Sequence, residues 1–157
     1  MSIVAFGPVR VIGLSYTGPV GDGQLSGLWH QLMGRVTEIQ QTDSGLGFGI
    51  CRCVEGAPEG QFEYIAAFSA TPTAPIPEGM VEVTLPAVDY YIKKVPTLEA
   101  IQSTWSEAVG EVAALEGWKP FCGQDGCDCA TAPSFELYPS DFKPEIGLDL
   151  YIPIRKA

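Results

Sequence analysis

Apolar positions in this chain switch between two spacings, every second residue and every third or fourth, and the switch occurs in the same order twice. Ile3, Val4, Val9, Val11, Ile12, Leu14 and Tyr16 predict one interrupted strand over 3–16, ended by Gly18-Pro19 and Gly21-Asp22-Gly23. Leu25, Leu28, Trp29, Leu32, Met33, Val36 and Ile39 then fall on one stripe of a helix over 24–40. After the turn at Asp43-Ser44-Gly45, residues 46–54 and 61–70 read as two strands joined by the turn-rich segment 55–60. Pro72, Pro75 and Pro77 stiffen residues 72–79 and cannot feed a ladder, so this stretch reads as a linker.

Beyond the linker the order β-α-β-β returns. Residues 80–95 predict a long strand or a bent pair, and Pro96-Thr97 opens a second helix with Thr97 as its N-cap. Leu98, Ile101, Trp105, Ala108, Val109, Val112 and Leu115 form that helix's stripe, and 134–138 and 147–154 are the last strands. Phe48 precedes Phe135 by 87 residues, as Tyr64 precedes Tyr151, while Trp29 precedes Trp105 by 76. The second copy therefore carries an insert, Glu116 to Ala130, between its helix and its next strand. The expected fold is α+β, one domain over 1–157 built from two pseudo-twofold-related βαββ repeats, 1–71 and 80–157. Its antiparallel sheet would carry two long helices on one face and a ligand cleft on the other, since ligand sites favour such junctions.

Composition narrows the function. With 46% hydrophobic and 18% charged residues the chain is globular rather than disordered. A net charge of -10 argues against direct nucleic-acid binding, which needs a basic face, and against anionic membrane surfaces. The same charge attracts cations. No run approaches the roughly 18 apolar residues that span a bilayer, and no signal peptide is read at the N-terminus. The five cysteines are an odd count, expected as reduced thiols in a cytoplasmic protein.

The two copies differ where chemistry is at stake: Gly49 in the first becomes Glu136 in the second. A carboxylate inside an apolar, β-prone run is costly unless paired, and a ligand or a catalytic role is one reason to keep it. Strand alternation sends Leu148, Leu150 and Ile152 toward the helices and Tyr151 into the cleft, with Tyr64 following by the repeat. Phe135 and Leu137 go to the core, while Glu136 and Tyr138 share the cleft face. One carboxylate among tyrosine rings suits a flat, hydrophobic, cationic molecule. Tyr16, Tyr90, Trp29, Trp105 and Phe121 complete the candidate ligand-binding set. The competing reading of Glu136 is a strand-end carboxylate, solvated or paired with Arg52 or Lys93.

No cofactor and no metal is expected. Cys122-x4-Cys127-x-Cys129, with His30, Cys51 or Cys53, could supply zinc ligands, but the spacing is not the usual two-residue knuckle. A redox-prone loop at the cleft mouth is the alternative. Phe121 and Trp118 of the same insert could close over a ligand as a lid, or pack down to anchor the loop. His30, the only histidine, is expected at the solvent edge of its helix.

The layout resembles the GyrI-like family, the effector-binding domain of AraC- and MerR-type multidrug regulators (SOUL/Rob C-terminal-like). The resemblance rests on Gly13-Leu14-Ser15-Tyr16-Thr17-Gly18-Pro19, Leu28-Trp29, Phe62-Glu63-Tyr64-Ile65-Ala66, Ile76-Pro77-Glu78-Gly79-Met80, Val88-Asp89-Tyr90, Phe135-Glu136-Leu137-Tyr138 and Tyr151-Ile152-Pro153-Ile154, in that order over nearly the whole chain. It implies a stand-alone multidrug-type binding module in which Glu136 meets a small hydrophobic or cationic ligand. It also implies two alternatives. One is a hydrolase of strained, cyclopropane-type electrophiles, with Glu136 as general base and Tyr64 or Tyr90 as hydrogen-bond donor. The other is a protein-interaction role, such as gyrase inhibition. The DNA-binding part of the regulators is missing from the sequence, so a transcription-regulatory role is expected in trans or lost. A homodimer is compatible with the sequence. The insert departs from the family pattern.

Overall fold

The computed structural model describes residues 3–19, 24–53, 61–123, 126–127, 131–142 and 147–157. Its strands are β1 (Ile3–Phe6), β2 (Val9–Pro19), β3 (Gly47–Cys53), β4 (Gln61–Ser69), β5 (Val81–Leu85), β6 (Val88–Val95), β7 (Trp118–Pro120), β8 (Cys122–Gly123), β9 (Gly126–Cys127), β10 (Ser134–Tyr138) and β11 (Leu148–Lys156). The helices are α1 (Gln24–Met33) and α2 (Ile101–Ala113). One antiparallel sheet runs in the order β1-β6-β11-β10-β3-β4-β2-β5, with β7 along the end of β11 and β8–β9 as a separate two-stranded sheet.

The expected interrupted strand over 3–16 is two strands at opposite ends of the sheet, separated by a cis Gly7-Pro8 peptide. Residues 80–95 are likewise two strands, β5 and β6, at opposite ends. The sheet therefore curls, bringing its ends toward each other. Seven strands feed one cluster on its inner side: Val11, Phe48, Ile50, Ile65, Ala67, Val83, Leu85, Tyr90, Phe135 and Tyr151. Phe6 closes it, its ring 5.8 Å from Phe135 and 5.2 Å from Tyr151. Phe135 stacks on Tyr151 at 4.8 Å and 17°.

The helices cover the other side. Leu28 and Leu32 of α1 pack with Ile12, Tyr64 and Ala66. Ala108 and Val112 of α2 pack with Tyr91, Ile152 and Ile154, and Ile101 and Trp105 reach Leu148 and Leu150. Both helices are shorter than their apolar stripes. α1 ends at Met33 before Gly34, a poor helix residue, and a 3₁₀ turn at Val36–Glu38 carries the chain to buried Ile39. α2 is preceded by a 3₁₀ turn at Leu98–Ala100, and Thr97 makes no side-chain capping bond. Met33, Leu98 and Val109 are exposed rather than packed.

One expectation is corrected. Among the described residues the side opposite the helices is an apolar core holding Phe135, Tyr90 and Tyr151, and Glu136 is not on it. Both sheet faces are buried, one under helices and one by curling, so apolar alternation does not tell a cleft face from a core face.

Candidate functional site

Glu136 sits mid-strand in β10, opposite Gly49 of β3 and Leu150 of β11. It is 5% exposed, one of three buried polar or charged residues among those described, with Ser69 and Thr104. Strand alternation puts Glu136 on the helix-covered side, because Phe135 before it fills the inner core. There it lies where the α1 cluster meets the α2 cluster.

The carboxylate is held by aromatic side chains from both halves of the chain. Tyr64 and Tyr138 each donate a hydroxyl hydrogen bond to Oε1 at 2.8 Å. Trp29 of α1 donates from Nε1 to the Tyr64 hydroxyl at 2.9 Å, and its ring stands 5.0 Å from that of Tyr138. Trp105 of α2 points Nε1 at Oε2 from 3.5 Å, the limit of hydrogen bonding. Two tryptophans, one per helix, thus bracket one carboxylate.

Gly49 makes this packing feasible. A Cβ at that position would lie 2.1 Å from the Tyr64 hydroxyl and 2.4 Å from Glu136 Oε1. Any side chain there would displace the bonded pair.

Neither cation proposed as a partner for Glu136 is one. Arg52 pairs with Glu63, and Lys93 with Glu111 at 2.7 Å. Burial pushes the Glu136 carboxyl above its ordinary value, and the hydrogen bonds from Tyr138, Tyr64 and Trp105 oppose that rise. Tyr64 and Tyr138 are also pushed up, first by burial and then by the adjacent carboxylate. The phenols therefore stay protonated donors at neutral pH. Chemically, the arrangement is one acidic group with one saturated oxygen and one nearly free oxygen, walled by π-systems.

The structure brings together Glu136, Tyr64, Tyr138, Trp29 and Trp105. Tyr16 faces Tyr64 across the β2–β4 ladder and packs in the same cluster. Tyr90 and Tyr151 are elsewhere: both lie in the inner core, with rings 5.8 Å apart. Tyr90 donates to the Pro86 carbonyl at 3.2 Å, and burial raises its phenol to about 12. The offset that relates Phe48 to Phe135 fails here. In the ladders Phe48 pairs with Ala67 and Phe135 with Tyr151, so Tyr64 does not hold the ladder place that Tyr151 holds. Phe121 is buried with Arg155 4.7 Å over its ring, and Trp118 carries Lys156 at 4.0 Å. Both rings anchor the start of the insert to β11 and lie outside the Glu136 cluster.

Two neighbours were missed by sequence reasoning. Cys51, partly buried, opposes Tyr64 in the β3–β4 ladder, and alternation from Gly49 was the available signal. Phe142 meets the Tyr138 ring edge-on at 4.9 Å, beyond Pro139, where no periodicity points to it. His30 is exposed. Among the described residues no group of three His, Cys, Asp or Glu could hold a metal. Cys129, and the side chains of Cys53, Cys122 and Cys127, lie outside them, and so do the turns at 21–23 and 55–60. Nor, among those residues, is any helix long and apolar enough to cross a membrane.

The model of the GyrI-like small molecule binding domain matches residues 1–155. The transcriptional regulator BrlR of Pseudomonas aeruginosa is 31% identical over 150 residues, 92% of this chain. The match covers 51% of that regulator, so the chain spans about half its length. Among solved structures, SAV2435 bound to tetraphenylphosphonium superposes with a TM-score of 0.72 at 17% identity, covering 98% of this chain and 93% of that one. An integron cassette protein from the mobile metagenome of Vibrio cholerae gives 0.65 at 19% identity, covering 98% and 95%. The last two likenesses speak to the fold.

Proposed function

Because this chain belongs to the GyrI-like small molecule binding domain family, we propose that it binds a small, hydrophobic, cationic aromatic compound against Glu136. One observation carries the reading: a carboxylate 5% exposed, with no basic partner among the described residues, between the indoles of Trp29 and Trp105. A buried anion lacking a counter-charge is costly. A lipophilic cation supplies the charge, and its apolar body takes the place of water against Trp29, Trp105 and Tyr138. The net charge of -10 favours encounter with such ligands. The strand order supports a two-repeat origin, since β6-β11-β10 and β2-β4-β3 run inward to a shared β10–β3 pair.

Tetraphenylphosphonium, the ligand bound by SAV2435, is the natural first probe. Tryptophan fluorescence would follow its titration alongside neutral triphenylphosphine oxide. Glu136→Gln should weaken the cation at least about tenfold, roughly 1.4 kcal/mol, and spare the neutral compound. Equal losses for both would sink the charge-matching idea. A regulatory role, as the likeness to BrlR suggests, would rest on the same binding event.

A second reading has one observation in its favour. The raised carboxyl of Glu136 with a nearly free Oε2 is suited to a general base acting on water. Turnover of strained electrophiles, lost in both Glu136→Gln and Tyr64→Phe, is its signature. Binding without product across several such compounds would count against it.

A further inference from the structure

The two oxygens of Glu136 are not equivalent. Oε1 accepts two hydroxyl hydrogen bonds, both at 2.8 Å, which fill its favourable acceptor directions. Among the described residues, the hydrogen-bond partner of Oε2 is the Trp105 indole, at 3.5 Å. Among the described residues, no charged group compensates the buried anion from the elements around it. β4 contributes Tyr64, β10 Tyr138 and β3 Cys51, α1 contributes Trp29 and α2 Trp105. On β11, Leu148 and Leu150 share this face, and Asp149 and Tyr151 alternate to the other. Lys93 of β6 follows Leu150 in the same cross-strand row, but Glu111 holds it at 2.7 Å, with Glu107 at 3.7 Å. An uncompensated carboxylate in such a place takes the cheapest available counter-charge, and in water that is a proton.

Resting on the binding reading above, we infer that the site exchanges a proton for its ligand: when empty, Glu136 carries a proton on Oε2, and a monovalent cation binds by releasing it to solvent. The exchange balances in charge, one proton leaving for each cation entering, so the site is neutral in both states. Burial of the carboxyl favours the protonated empty state. Oε1, held by the two tyrosines, keeps the group in place while Oε2 changes partner. Protons and cations are then competitors for one site, and neutral aromatic ligands are indifferent to pH.

Calorimetric titration of the full chain with tetraphenylphosphonium, in two buffers of different ionisation heat, counts the protons released. Close to one proton per cation is expected at pH values where the empty site is protonated. Affinity should there rise up to about tenfold per pH unit. Glu136→Gln should release none and bind with a flat pH profile. The second arm needs no ligand: the infrared band of a protonated carboxyl should be present in the empty wild type and absent from Glu136→Gln. Cation binding without proton release, or an empty protein lacking that band at neutral pH, would overturn the exchange and leave the binding reading standing. A protein that holds the carboxyl proton but binds no cation from pH 5 to 9 would remove the binding reading and the exchange with it.

Discussion

Gly49→Ala is the sharpest perturbation of the site, because it adds one methyl group and no chemistry. The new Cβ would stand 2.1 Å from the Tyr64 hydroxyl, 2.4 Å from Glu136 Oε1 and 2.9 Å from Tyr64 Cζ. These atoms cannot retreat cheaply, since Tyr64 is 1% exposed and Glu136 5%. Either the β3–β10 ladder spreads or the Tyr64–Glu136 bond breaks. Overpacking costs about 1–3 kcal/mol, and leaving a buried hydrogen-bond partner unsatisfied about 1–3 kcal/mol. Because breaking the bond relieves part of the clash, the combined loss is about 2–4 kcal/mol. For a chain of this size that lowers Tm by roughly 4–16 °C. Urea unfolding at constant m-value is the assay, and tetraphenylphosphonium affinity should fall with stability. Gly110→Ala is the control. In α2 an added Cβ at residue 110 meets nothing within 4 Å, and the exchange should stabilise by about 0.5–1 kcal/mol. If Gly49→Ala matched wild type within about 0.5 kcal/mol, the range of an ordinary surface change, and kept its affinity, the packing argument would be refuted.

Further outcomes are expected. Tyr64→Phe removes a donor from Glu136 and strands the Trp29 N–H, so it should cost about 1–3 kcal/mol by urea unfolding and more than Tyr138→Phe, whose contacts with Trp29 and Phe142 are ring contacts. Tyr151→Phe and Tyr90→Phe should leave ligand affinity within about twofold in the same titration, because both rings lie in the inner core. Phe135→Ala should destabilise by about 3–5 kcal/mol in chemical denaturation, since the ring is fully buried against Phe6, Phe48, Tyr90 and Tyr151. In stability against pH, Glu136 has a folded value above its ordinary 4.5, so its contribution is fully present below that pH and is lost as pH climbs through the folded value. Glu136→Gln should flatten that part of the profile.

The strand runs around two helices and the carboxylate of Glu136 inside an apolar run were legible in the sequence, whereas the break of the first strand at Gly7-Pro8 was not. Each legible feature depends on local spacing or on one residue out of keeping with its run. The helix ends were less legible, because apolar residues past Met33 pack from a 3₁₀ turn and extended chain rather than from a continued helix. Alternation correctly separated Glu136 and Tyr138 from Phe135, but it could not say which side was which. Period two divides residues between faces and carries no label for the element covering each face. Curling buries the inner side as thoroughly as the helices bury the outer one, so Tyr151 and Tyr90 look like site residues in sequence and prove to be core. Tyr64 joins Glu136 through the β3–β4 register and Trp29 through α1, and both contacts bridge segments far apart in the chain. The sequence by itself determined which residue is chemically out of place. Only the tertiary structure decided its neighbours, because they come from both helices and from strands on either side of β10, and nothing local specifies their meeting.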